Sequence, residues 1–461
     1  MRIEEDHMAP VSIPEDALWG DQTQRAVENF PLSGERFGRA FIKALGFVKW
    51  ACTAANQELG KLDDERAGAI LAACEEVIQG RWDEHFPVDV FQTGSGTSTN
   101  MNMNEVLANR ANQLLSSKPG DHHPVHPNDH VNRSQSSNDT FPTAIHLAAL
   151  ASIKGEMIPA LQELESSLLE KARSFHHVVK VGRTHLQDAL PVRMDQVFGG
   201  YAAQVKKSLD RMNHAVQLLS VLPLGGTAVG TGANRPADFP QTALIYLEQR
   251  TGRKLTITSN HMEGNASRDD LVEVGGLLET VAVSMTKIAN DIRWMASGPR
   301  AGLNELYLPK VQPGSSAMPG KHNPVIAEAL IMISAQVIGN QTAVTQGGLG
   351  GYFELNLMMP LIAHNILKSI KWLAAAVKNF SRRCVVGIEV NQEHCQRLAS
   401  RDLMTVTALV PVIGHDRAAK ISRQAQATHQ TIYEVALQEE ILPEQELKEV
   451  LNLNRMTRPD S

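Results

Sequence analysis

Three short segments carry the residue types that anion binding and proton transfer need. They are Thr93-Gly94-Ser95-Gly96-Thr97-Ser98-Thr99, Ser134-Gln135-Ser136-Ser137-Asn138-Asp139 and Gly314-Ser315-Ser316-Ala317-Met318-Pro319-Gly320-Lys321-His322-Asn323-Pro324. Each is dense in hydroxyls, amides or glycine, and each runs into a helical pattern. The first turn of a helix leaves backbone N–H groups unpaired and presents about half a positive charge, so a carboxylate placed there gains hydrogen bonds and dipole stabilisation. Lys321 adds a full positive charge. Serine, threonine and asparagine are also ordinary helix caps, but the third segment holds two serines, a lysine and an asparagine, more than one cap requires. A fourth segment, Gly182-Arg183-Thr184-His185-Leu186-Gln187-Asp188, places a histidine among polar neighbours. Histidine titrates near neutrality and can pass a proton to and from water.

The elements that must position these groups are helical. Apolar residues recur at three and four from Arg36 to about Gly80, as in Phe41, Leu45, Val48 and Cys52. A further helix is expected over about 100–115. Long segments with few breakers follow over about 141–175, 194–221 and 268–297, each ~28–35 residues, or ~40–50 Å of helix. The last carries Leu271, Val274, Leu278, Val281, Met285, Ile288, Ile292 and Met295 on one stripe, with Val272, Leu277 and Val283 off it. Such a helix is expected to be buried on more than one face, at the centre of an oligomeric bundle. Pro324 opens another helix to about 346, with proline suited to the first helical position, and a fifth spans about 360–380. Residues 1–35 read as irregular, 116–139 as an aperiodic functional loop, and 254–259 as a short β-hairpin. No period-2 strand pattern stands out. Pro299, Gly302, Pro309, Pro313 and Gly314 mark 298–320 as a lid. The reading is an all-α, three-domain chain: 1–135 mainly helical, 136–360 a bundle of long helices with the third polar segment, and 361–461 smaller helices.

Composition narrows the function. The chain has 461 residues, 43% hydrophobic, 20% charged and only 5% aromatic, which suits helix-on-helix packing. A net charge of −6 without a basic stripe argues against nucleic acid, so any grip on an anion must be local. Cys52, Cys74, Cys384 and Cys395 form no CxxC pair and are expected as small buried side chains in a reducing compartment. The acidic start Met1-Arg2-Ile3-Glu4-Glu5-Asp6-His7 has no apolar run behind it, which predicts no targeting peptide. No run reaches ~18 apolar residues, so no membrane span is expected; the expected localisation is cytoplasmic.

The third segment, residues 314 to 324, resembles the signature loop of the fumarase/aspartase superfamily. The similarity covers nearly the whole chain: Leu18-Trp19-Gly20-Asp21-Gln22-Thr23-Gln24-Arg25, Gly94-Ser-Gly-Thr97 with Asn100-Met-Asn-Met-Asn-Glu105, His126-Pro-Asn-Asp129, Gln135-Ser-Ser-Asn138 and Gly225-Gly-Thr-Ala-Val-Gly230. It is closest to class II fumarases, since Thr184 is followed by His185 where aspartases usually carry glutamine. The resemblance implies a homotetramer whose 20-helix core takes five long helices from each subunit, with active sites shared by three subunits. It implies reversible hydration of fumarate to L-malate, the tricarboxylic acid cycle reaction, without metal or organic cofactor.

Carried over by position, Ser315 is the base at C3 of malate, and His185 paired with Glu328 handles the proton of water. Lys321, Asn323 and the loop backbone with Ser316 stabilise the aci-carboxylate intermediate. Ser95, Gly96, Thr97, Ser136, Ser137, Asn138 and Thr184 bind the substrate carboxylates. His126, Asn128 and Asp129 match a second dicarboxylate site, where His123 stands in place of a common arginine. The run Asp121-His122-His123 with His126 and His130 could alternatively hold a metal, which the family does not need. His322 and Asn356-Leu-Met-Met-Pro360 also depart from the usual fumarase pattern. The competing activities are aspartate ammonia-lyase and a non-catalytic structural role, as in a lens crystallin relative.

Overall fold

The computed structural model describes residues 1–5 and 9–459. Of the acidic N-terminal run, Asp6 and His7 lie outside them. Two compact units share the chain: the first holds 1–158, 210–280 and 335–373, the second 159–209, 281–334 and 374–461.

In the first unit the apolar periodicity over 36–80 becomes two helices, Arg39–Glu58 and Asp64–Gln79. The break lies where Asn56 O accepts both Lys61 N and Leu62 N, and Asp63 then caps the second helix by accepting from Arg66 N at 3.0 Å. Helices Thr97–Leu114 and Ser137–Ser152 complete this core. Phe37, Phe41 and Phe141 stack in it, with ring centroids 4.4 Å apart for the first pair and 4.8 Å for Phe41 and Phe141. The N-terminus is not irregular throughout: Arg2–Glu5 pairs antiparallel with Pro10–Ile13, and a helix runs over Asp21–Asn29. Four-residue strands are too short to show an alternation in the sequence. Thr256–Ile257 is a strand as expected, but it pairs in parallel with Val221–Leu222 rather than folding into a hairpin.

The long segments are helices. One runs over 137–174, with a π-helical turn at Ile153–Met157, and others over Met194–Leu219, Asp269–Met295, Val325–Gly348 and Met359–Arg383. Pro324 sits one position ahead of its helix, its carbonyl accepting the first bond from Glu328 N at 3.1 Å. The stripe from Leu271 to Ile292 is fully buried. The off-stripe residues are not: Val283 is 54% exposed and Trp294 52%. Within one chain this helix is therefore buried on one face only. By length and composition 137–174 and Val325–Gly348 are long and apolar enough to cross a membrane; 67% of the apolar window of the first and 33% of the second are buried inside the chain. All four cysteines are buried and free.

The second unit holds a hairpin, Val179–Thr184 against Gln187–Arg193. Only two residues, His185 and Leu186, turn the chain. The presumed lid is partly anchored: Leu306–Tyr307 pairs with Glu389–Val390, and Glu305 is wholly buried. The stretches on either side, 298–301 and most of 310–322, lie at the surface. The C-terminal helices pack around Leu409, Ile421, Ala425, Ile432, Val435 and Leu447.

Candidate active site

In the first unit the two early polar segments meet. Ser95 Oγ lies 2.8 Å from Thr97 Oγ1, which lies 2.7 Å from Ser137 Oγ. Ser137 Oγ in turn donates to Asn138 Oδ1 at 3.3 Å. The starts of helices Thr97–Leu114 and Ser137–Ser152 thus converge, with hydroxyls linked across them. Glycine is required in the first segment. A Cβ on Gly94 would lie 1.9 Å from Leu357 O, and one on Gly96, whose φ is +73°, would lie 2.3 Å from Phe141 Cδ2. Leu357 belongs to the 356–360 stretch that departs from the usual pattern. Its role here is support, since Met359 N also donates to Gly94 O at 3.1 Å.

Ser136 is a true cap: its Oγ accepts from Asn138 N at 3.2 Å, and Asp139 Oδ1 accepts from Ser136 N at 3.0 Å. Asp139 reaches further. Its Oδ2 accepts from Gly225 N at 3.0 Å and Thr227 N at 2.9 Å, docking the glycine turn beside the helix start. Burial raises the Asp139 carboxyl above its ordinary pKa, against the pull of these N–H donors. Asn138 Nδ2 donates to Ala228 O at 2.7 Å, so the same turn positions the amide. The sequence reading missed Asp139 as an organiser, although its place three residues after Ser136 was the signal of a capping box.

The second unit carries the proton-transfer candidates. His185 and Leu186 both have left-handed backbones, with φ of +56° and +61°. Neither is glycine or asparagine, so the conformation is strained and must be imposed by the strands on either side. The hairpin is tied down by Arg183, whose Nη1 donates to Glu305 Oε1 at 2.9 Å and Oε2 at 3.0 Å, and by Lys180 at 3.4 Å. Burial lowers the Lys180 pKa, and Glu305 opposes that shift. Thr184 and His185 stand exposed at the tip. Among the described residues no hydrogen bond joins His185 to Glu328, which sits in the first turn of Val325–Gly348.

Ser315 makes a local side-chain-to-backbone turn. Its Oγ accepts from Ala317 N at 3.2 Å and Met318 N at 3.1 Å. The loop is closed around it by Gly314 N to Lys321 O at 2.9 Å and by Asn323 Nδ2 to Gly314 O at 2.9 Å. Lys321, Ser316 and His322 lie on the same loop, with Lys321 and His322 exposed.

The residues of the suggested second site share one short segment. Pro127–Val131 is a π-helical turn capped by His126, whose Nδ1 accepts from Asn128 N at 3.1 Å and Asp129 N at 3.2 Å. Nδ1 is thereby an acceptor, which assigns the ring proton to Nε2. Burial lowers the His126 pKa, with Asp129 pulling the other way. His123, Asn128 and Asp129 are exposed beside it. As for a metal, His122 rather than His130 joins a candidate set, with Glu4 and Asp21, whose ligand atoms lie within 4.8 Å. Glu4 already accepts from Arg2 Nε at 2.6 Å and Asp21 N at 3.1 Å.

Residues 9–339 match the lyase family, and 406–458 match the fumarase C C-terminus. A class II fumarate hydratase from Ralstonia nicotianae is 50% identical over 436 residues, covering 95% of each chain. A recombinant class II fumarase from Schistosoma mansoni is 34% identical and superposes with a TM-score of 0.97 over all of both chains. A fumarate lyase:delta crystallin from Brucella melitensis, bound to cobalt, is 44% identical with a TM-score of 0.96, over 99% of this chain and 100% of its own. With half its residues shared with such a relative over nearly its full length, and the backbone path of a class II fumarase, the chain belongs to the class II fumarase family of lyases.

Proposed function

We infer that the chain catalyses the reversible addition of water to fumarate, giving L-malate. The observation that carries this reading is Ser315: a hydroxyl oxygen already accepting two backbone N–H bonds. Donors aimed at that oxygen stabilise it most when it bears negative charge, and so favour its action as an alkoxide-like base.

In the malate-to-fumarate direction, Ser315 takes the proton from C3. The electron pair left behind delocalises into the adjacent carboxylate as an aci-carboxylate, stabilised by Lys321, Asn323, Ser316 and the loop N–H groups. The C2–O bond then breaks, and the hydroxyl leaves as water with a proton from His185, oriented by Glu328. Hydration runs these steps in reverse. Ser95, Gly96, Thr97, Ser136, Ser137, Asn138 and Thr184 hold the two carboxylates, and His123, His126, Asn128 and Asp129 form a second dicarboxylate site. The scattered contributions are completed by neighbouring copies in a homotetramer with a 20-helix core, each active site drawing on three subunits. The exposed Leu186 beside His185, 72% exposed, supports cover of that hairpin tip by another copy. The setting is the tricarboxylic acid cycle in the cytoplasm.

The test is direct. Purified protein is given fumarate with and without ammonia, and the ultraviolet absorbance of fumarate is followed. Loss without ammonia is expected. Loss only with ammonia would make the chain an aspartate ammonia-lyase, and no loss in either case would leave a structural role.

A further inference from the structure

We propose that Lys49 is a positioning residue: its buried ammonium fixes the loop that joins the His126–Asp129 segment to the carboxylate-binding residues Ser136, Ser137 and Asn138. The proposal rests on the reading that these last residues bind substrate.

Lys49 lies on helix Arg39–Glu58 and is fully buried. No ion pair reaches it among the described residues; its Nζ donates instead to Asn132 Oδ1 at 3.0 Å and Gln135 Oε1 at 2.9 Å. An ammonium in such a place carries a heavy desolvation cost, and burial pulls its pKa down to about 8. The groups facing it are Cys52 on its own helix, Cys74 from Asp64–Gln79 and Asp139 from Ser137–Ser152. An apolar side chain of equal length would fill the space without that cost. What the ammonium adds is its hold on the loop.

That hold is specific. Asn132 Oδ1 also accepts from Asn100 Nδ2 and Asn104 Nδ2, each at 3.2 Å. Gln135 Nε2 donates back to Val131 O and Arg133 O, both at 3.0 Å. Residues 131–135 are therefore wound around one charge. The loop enters from the turn Pro127–Val131, capped by His126, and leaves at Ser136, the cap of Ser137–Ser152. Asn100 Oδ1 accepts from Thr140 Oγ1 at 3.1 Å, which ties the same network to the starts of both helices that carry the linked hydroxyls. Without the ammonium, Asn132 and Gln135 lose their common donor, and the Ser136 cap loses its fixed approach. Substrate binding then weakens while the groups that move protons are untouched.

The test uses the full chain with Lys49→Met and Gln135→Leu, singly and together, in steady-state hydration of fumarate, with circular dichroism and size checked first. Lys49→Met is expected to raise KM about tenfold with kcat within about threefold, the signature of lost uniform binding. Gln135→Leu should raise KM severalfold, and the double variant should be no worse than Lys49→Met alone, because both remove one shared interaction. A folded Lys49→Met protein with parental KM, a loss confined to kcat, or strictly additive effects would overturn the proposal. Should Lys49→Met fail to fold, an unchanged KM in Gln135→Leu decides against it. Should the parent itself not consume fumarate, the functional reading fails separately. Calorimetric binding of succinate to the same proteins then decides: weaker binding in the variants upholds the role of Lys49, and equal binding rejects it.

Discussion

Ser315 illustrates how much a residue's chemistry depends on backbone that no motif spells out. Ser136 caps a helix. Ser315 caps nothing: the two N–H groups it accepts from belong to its own loop, closed by Gly314, Lys321 and Asn323. Replacing it with alanine removes the proposed base and leaves the loop's other bonds in place. Ser315→Ala should therefore cut kcat by about 10³-fold or more, of the order seen when a nucleophile or base is deleted, with thermal stability nearly unchanged. Activity within tenfold of the parent would show that another group takes the C3 proton. The residue types of this loop, including Lys321 and Asn323, were legible in the sequence. So was the presence of Lys49 among the apolar positions Leu45, Val48 and Cys52, although a lysine on an apolar stripe does not reveal what it holds.

Helices were legible as elements because their burial follows a period that the residues repeat, as from Leu271 to Ile292. Strands were not. The hairpin Val179–Thr184 with Gln187–Arg193 has a register shift between Val181 and Gly182, which breaks any alternation. Its turn is built on His185 and Leu186, neither of which advertises a left-handed backbone. What compels the turn is a partner 122 positions along the chain, since Glu305 is where Arg183 anchors. Glu305 is wholly buried between two cations. Glu305→Ala leaves both unpaired inside the protein, and truncating one partner of a buried ion pair costs about 3–5 kcal/mol. A thermal melt should show a drop of several degrees, and turnover should fall as His185 loses its fixed tip. A melt equal to the parent's would mean that the strand pairing alone holds the hairpin.

At the scale of the whole molecule, apolar surface is the quantity that does not balance within one chain. Helix Val325–Gly348 buries Ala327, Leu330, Val337 and Val344 along one stripe, yet only 33% of its apolar window is buried. Met332 on another face is 67% exposed, and Val283 and Trp294 stand out from Asp269–Met295. The all-round apolar composition of these helices was visible in the sequence; which face the chain itself would cover was not, because that depends on contacts between distant segments. Long helices with an uncovered apolar face fit association into the proposed tetramer, where burying one methionine is worth about 1.5–3 kcal/mol in each copy. Met332→Glu places a charge on that face in every subunit at once. Sedimentation velocity should then find dimers or monomers in place of a tetramer, with hydration activity lost in proportion, because the proposed active site draws on three subunits. The circular dichroism spectrum should stay helical, since Met332 contributes little to the chain's own core. An intact and fully active tetramer from Met332→Glu would place the subunit interface elsewhere and leave this surface without the role assigned to it.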